Sequence, residues 1–152
     1  MSSPKVRFLR GKIKDLSSLP STNLRRSSWR IAKDLPTSFS YALKGIGYAL
    51  KSQRNFRIQI ILGVLTYIVG IFLEINATNL SIITCMVALV LILELINTAI
   101  EATVDLAIGR KFHPLARIAK DCAAAAVLIA SFGAVLVAFI ILLQPLRIRL
   151  GL

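Results

Sequence analysis

The chain has few of the residues on which many sites depend. Only two cysteines and one histidine occur in 152 residues. That excludes a disulfide-dense scaffold, a four-cysteine metal site and a multi-histidine centre within one chain. Acidic residues are also scarce, seven against 19 lysines and arginines, which leaves a formal charge of +12. No glycine-rich phosphate loop is present. No apolar run of useful length precedes residue 58, so a secretory signal is not expected. What is abundant is apolar: 56% of the residues are hydrophobic. A chain this short has too little interior to hide that much, so a water-soluble domain is excluded as well. A nucleic-acid binder would explain the charge but not the excess of Leu, Ile, Val and Ala. High apolar content with high positive charge points to a membrane protein whose basic residues face anionic lipid.

Residues 1–57 hold 13 of the 19 basic residues, and the 109–120 loop holds four more, Arg110, Lys111, Arg117 and Lys120. Residues 1–35 lack helical periodicity and read as a basic cytoplasmic tail. A helix is expected from Pro36, with Phe39, Tyr41, Leu43, Ile46 and Leu50 giving it an apolar side interrupted by Lys44 and Lys51. It is too short and too charged to span, and suits the membrane surface. Gly45 and Gly47 suggest close packing against another helix. Three spans follow: Ile58–Leu73, a second from near Asn79 to about Ile108, and Cys122–Leu143. Residues 36–145 then form the membrane domain, and 146–152 a short C-terminal tail. The fold class is all-α, one amphipathic surface helix plus three transmembrane helices. Cys85 and Cys122 read as reduced, buried side chains. The amino terminus and the 109–120 loop carry most of the positive charge, so both are assigned to the cytoplasmic side and the 74–79 turn to the other. Arg147 and Arg149 run against that rule but are outnumbered.

Four of the seven acidic residues lie between positions 94 and 121. Glu94, Asn97, Glu101 and Asp105 are spaced 3, 4 and 4 apart. At 3.6 residues per turn they fall on one helical face, within an arc of roughly 80°. A charged side chain at mid-span costs about 2.5–3.5 kcal/mol on insertion scales, so this face should not meet lipid. Glu94 lies about 22 Å along the helix from Asn79, and Glu101 and Asp105 lie nearer the surface. A short loop makes the second and third spans antiparallel neighbours, which brings Lys120 and Asp121 towards the Asp105 end. The set holds carboxylates for Mg²⁺, a lysine for phosphate and one deeper carboxylate able to act as a base. Phosphoryl transfer needs those parts. A structural polar network gluing helices together is the blander reading, and three carboxylates with an Asn on one face argue against it.

The segment Glu94-Leu-Ile-Asn97-Thr98-Ala-Ile-Glu101-Ala-Thr-Val104-Asp105 resembles the signature of the prokaryotic diacylglycerol kinase family, which includes the undecaprenol kinases of Gram-positive bacteria. Arg54-Asn55-Phe56-Arg57-Ile58 resembles the segment entering that family's first span. The stretch from His113 to Asp121 resembles its loop into the third, in the undecaprenol-kinase style. The resemblance covers about residues 36–145. It implies an ATP- and Mg²⁺-dependent lipid kinase of a bacterial inner membrane, assembled as a homotrimer with active sites shared between subunits. By the same resemblance Glu94 is the general base towards the lipid hydroxyl, and Asn97 supports the catalytic site. Glu101 holds the nucleotide's Mg²⁺, and Asp105, His113, Lys120 and Asp121 contact the nucleotide. Gln53 stands where the family usually has a metal-binding Glu, and remains a metal-site residue without the charge. Gln59 stands where this branch often has His. Two other functions compete. A proton-coupled exporter would use Glu94 alone, but the polar stripe does not continue across the other half of the span. A membrane anchor with a working basic tail leaves the stripe unexplained.

Overall fold

The structure is a computed structural model that describes residues 35–109 and 111–151. The basic segment before Leu35, assigned above to a surface tail, lies outside the described residues. Four helices follow in order: α1 Leu35–Ser52, α2 Arg54–Phe72, α3 Ala77–Ile108 and α4 Pro114–Leu150. Among the described residues there is no strand. The chain divides into two compact units between Leu43 and Lys44, inside α1. The second unit, Lys44–Leu152, contains α2, α3, α4 and every candidate site residue.

The helix ends are explained locally. α1 stops at Ser52, and the Arg57 guanidinium donates back to the carbonyls of Leu50 and Lys51 at 2.9 and 3.2 Å. Those terminal carbonyls have no partner within the helix and attract a cation. Phe56, one turn into α2, is buried. α2 ends at Phe72, whose carbonyl accepts from Arg149 Nη1 at 2.8 Å while the guanidinium lies 4.2 Å from the Phe72 ring centroid. Asn76 caps α3, its side chain accepting from the Asn79 N–H at 2.8 Å. Gly109 closes α3 at a φ of 61°, a conformation that suits a residue without Cβ. Pro114 occupies the first turn of α4, where a missing N–H costs nothing.

α2, α3 and α4 are each long and apolar enough to cross a membrane. At 1.5 Å per residue the 32 residues of α3 extend about 48 Å, more than a hydrocarbon core of roughly 30 Å. α3 packs against both α2 and α4, most extensively against α4. The buried residues Ile83, Val90, Ala123 and Val127 lie along these contacts. Gly63 lets α2 approach closely, since a Cβ there would sit 2.6 Å from Val87 Cγ1. Most other large side chains on the three helices, such as Ile61, Leu65, Phe132 and Phe139, are exposed within the chain, as lipid-facing surfaces are.

The tail segment from residue 146 continues α4, which runs through Pro145 to Leu150. Proline removes one N–H donor without forbidding the turns on either side. Two expectations need correction. Cys85 and Cys122 are free but exposed, because they fall on the outer faces of α3 and α4. Gly45 and Gly47 mark no close contact, since a Cβ at either would meet open space within the chain.

Candidate functional site

The polar stripe of α3 grades from buried to exposed. Glu94 is 3% exposed, Asn97 and Thr98 are each 8% exposed, Glu101 is half-buried and Asp105 is exposed. Period 3.6 places these residues on one side of the helix, and packing against α2 and α4 covers the deeper end.

Glu94 is held from two directions. Gln59 Nε2, on α2, donates to Glu94 Oε2 at 3.4 Å. The Thr98 hydroxyl donates to the Glu94 backbone carbonyl at 2.9 Å, which ties the next turn down. One turn towards the open end, Asn97 Nδ2 donates to Glu101 Oε1 at 3.2 Å. Two amide oxygens, Gln59 Oε1 and Asn97 Oδ1, are buried with no hydrogen-bond partner. Leaving such an atom unpaired costs about 1–3 kcal/mol. Sites that keep such atoms commonly meet a ligand, an ion or a water there.

At the exposed end, Lys120 Nζ pairs with Asp105 Oδ1, joining α4 to α3. This is the meeting expected from the short loop. Asp121 is placed differently. It pairs with Arg117 at 3.7 Å along α4, and both side chains are exposed. Successive residues on a helix point about 100° apart, so Lys120 and Asp121 do not share a face. His113 is exposed and caps the start of α4 without a side-chain hydrogen bond. Gln53 is the half-buried residue before α2, and its side chain likewise makes no capping bond.

Among the described residues, no group of three His, Cys, Asp or Glu side chains gathers in a way that would enclose a metal ion. Magnesium does not need such a cage. It usually takes one or two carboxylates and fills the other positions with water and phosphate oxygen. The half-buried carboxylate of Glu101, the uncommitted amide of Gln53 and the unpaired Asn97 Oδ1 are hard oxygen donors of the right kind.

A groove of about 270 Å³ begins at Gln59 and continues along the apolar surfaces of all three helices, past Gly63, Ile83, Val87, Ala134 and Ala138. Its polar end therefore touches the residue bonded to Glu94. The sequence reading gave Gln59 and Thr98 no role. The available signal was that Gln59 is the lone amide in the apolar run Ile58–Leu73.

The prokaryotic diacylglycerol kinase model matches residues 40–142. A diacylglycerol kinase of Synechocystis sp. is 46% identical over 123 residues, covering 81% of this chain and 70% of that protein. An undecaprenol kinase of Bacillus subtilis is 38% identical over 109 residues, covering 72% of this chain and 88% of that protein. A diacylglycerol kinase of Escherichia coli is 36% identical over 107 residues, covering 66% and 87%. With a carboxylate stripe at the covered end of three membrane-length helices and these similarities over most of its length, the chain belongs to the prokaryotic diacylglycerol kinase family, a family of lipid kinases.

Proposed function

We propose that the protein transfers the γ-phosphoryl group of ATP to the hydroxyl of a membrane lipid alcohol, a diacylglycerol or undecaprenol, at the cytoplasmic face of a bacterial inner membrane. The observation that carries this reading is Glu94. It is a carboxylate buried deep in a membrane-length helix and held by an amide from a second helix, and that amide lines an apolar groove. An intramembrane carboxylate is costly and marks function. A base one hydrogen bond away from an apolar groove suits a substrate whose reactive hydroxyl sits at one end of a long hydrocarbon. Such a substrate reaches the groove laterally from the bilayer.

In this reading Glu94 accepts the proton of the lipid hydroxyl as its oxygen attacks the γ-phosphorus and the bond to the leaving ADP oxygen breaks. Asn97 fixes Glu101 through their hydrogen bond. Glu101, with Gln53, would hold Mg²⁺, which when bound screens the phosphate charge. Lys120, steadied by Asp105, contacts the phosphates, while Asp121 and His113 line the more exposed approach of the nucleotide. The exposed Asp105 end faces the cytoplasm, because 17 of the 19 basic residues belong to segments on that side. Neighbouring subunits complete each site between them, in a homotrimer in contact with anionic lipid.

The test is a phosphotransfer assay. Membranes containing the protein receive labelled ATP, Mg²⁺ and either diacylglycerol or undecaprenol. Label is expected in the lipid fraction. No label with either alcohol, in protein shown to be folded, would overturn the reading.

A further inference from the structure

Two features of Gln59 stand together: Nε2 donates to Glu94 Oε2 across the α2–α3 contact, and Oε1 on the same amide is buried and unpaired. We propose that Gln59 is a positioning residue for phosphoryl transfer, a two-state amide that holds the Glu94 carboxylate before the proton moves and accepts from the Glu94 acid after it has moved. This inference rests on the reading of Glu94 as the base.

The chemistry of a side-chain amide suits this task. One end donates and the other accepts, and half a turn about the last side-chain bond exchanges them. While Glu94 is ionised it can only accept, so the NH₂ end faces it. When the lipid hydroxyl proton moves to Glu94, the lipid oxygen bonds to the γ-phosphorus and the bond from phosphorus to the leaving ADP oxygen breaks, the carboxyl gains one O–H donor. The turned amide then presents Oε1 to that donor, so the atom left unpaired in the first state gains its partner in the second. Release of the proton from Glu94 to water restores the starting pair. Leucine or methionine would fill the same space without the cost of an unpaired oxygen, but neither would serve both protonation states.

Few other charges compete for control of Glu94. On α3 the next carboxylate is Glu101, whose Oε1 is engaged by Asn97. On α2 the nearest charged residue is Arg57, turned back to the carbonyls of Leu50 and Lys51. On α4, no titratable residue occurs from Ala123 to Gln144. Gln59 is therefore the polar side chain that α2 and α4 bring to Glu94.

The test measures kcat against pH in wild type, Gln59→Leu and Gln59→Glu, with saturating lipid and nucleotide. The acid limb of the profile reports protonation of the base. In Gln59→Leu that limb should move up by about half a unit, because a long hydrogen bond to the ionised form is lost. Near neutral pH kcat should fall by about tenfold, with the nucleotide KM unchanged. Gln59→Glu keeps the shape but puts a second carboxylate beside the first. The limb should then move up by about one unit or more, since two adjacent carboxylates resist ionising together. In a Glu94→Gln background, Gln59→Leu should cost nothing further. A uniform fall in kcat with the limb unmoved in both variants, or a full additional loss in the Glu94→Gln background, would overturn the proposal while leaving the lipid kinase reading intact. No phosphotransfer by wild type would overturn both.

Discussion

Replacing the Glu94 carboxylate by an amide of the same size isolates its chemistry from its packing. Glu94→Gln keeps a polar group against Gln59 and leaves the Thr98 bond to the backbone carbonyl untouched. If Glu94 is the base, single-turnover phosphorylation should slow by at least about 10²-fold, while nucleotide affinity stays near wild type. Near-normal turnover would remove Glu94 from that role. The metal residues make a second, opposed pair. Glu101→Gln should raise the Mg²⁺ concentration giving half-maximal rate, because the remaining protein donors are neutral amides. Gln53→Glu should lower it by restoring a hard anionic oxygen. An Mg²⁺ midpoint unmoved by Gln53→Glu would place that residue away from the metal. The stripe itself was legible because a helix turns every 3.6 residues, so spacings of 3, 4 and 4 define a face without any knowledge of neighbours. The Gln59–Glu94 contact was not legible. It joins residues 35 apart on different helices, and the axial register of α2 against α3 is set by packing rather than by local pattern.

That register depends on how closely two helices approach, and Gly63 governs the approach. A methyl at this position would come within 2.6 Å of Val87 Cγ1, on a β-branched side chain with few rotamers to escape into. Gly63→Ala should destabilise the protein by about 1–3 kcal/mol, the usual range for overpacking. Adding Val87→Ala should recover part of that loss, because the two positions are in contact and so couple. Gly45→Ala serves as the contrast. With open space around it, the helix-propensity gain of about 1 kcal/mol should appear without a clash. Thermal or denaturant unfolding of the four proteins in one detergent measures all of this. A Gly63→Ala protein as stable as wild type would show that α2 and α3 are free to separate there. The sequence suggested close packing at Gly45 and Gly47 and passed over Gly63. A glycine in a helix advertises conformational freedom, but which glycine meets a neighbour is decided by the neighbour. Elsewhere element-level reading went further. The short loop at Pro114 made α3 and α4 antiparallel neighbours, and Lys120 does reach Asp105. Asp121 follows Lys120 in sequence, yet helical rotation turns it to Arg117.

At the scale of the whole molecule, one chain leaves much apolar surface uncovered and supplies an open set of polar groups. Exposed faces such as Leu128, Phe132 and Leu136 on α4 suit lipid or a second copy equally well, which is why neither composition nor hydropathy reveals the assembly. The site chemistry discriminates better. Glu101 and Gln53 belong to no three-carboxylate cluster among the described residues, and the groove at Gln59 runs along the surfaces of all three helices. A neighbouring subunit that brings its own α2 would complete the site, and each catalytic unit would then draw Glu94 from one chain and Gln53 from the next. Mixing chains tests this directly. Glu94→Gln and Gln53→Leu are prepared as separate homo-oligomers, each expected to be nearly inactive, then co-assembled in equal amounts. In a closed ring, random assortment pairs an intact Glu94 with an intact neighbouring Gln53 at about one site in four, so about a quarter of wild-type activity should return. If both residues of a site come from one chain, every site in the mixture carries one defect or the other. Activity then stays at the level of the homo-oligomers, whatever the ratio of the two chains.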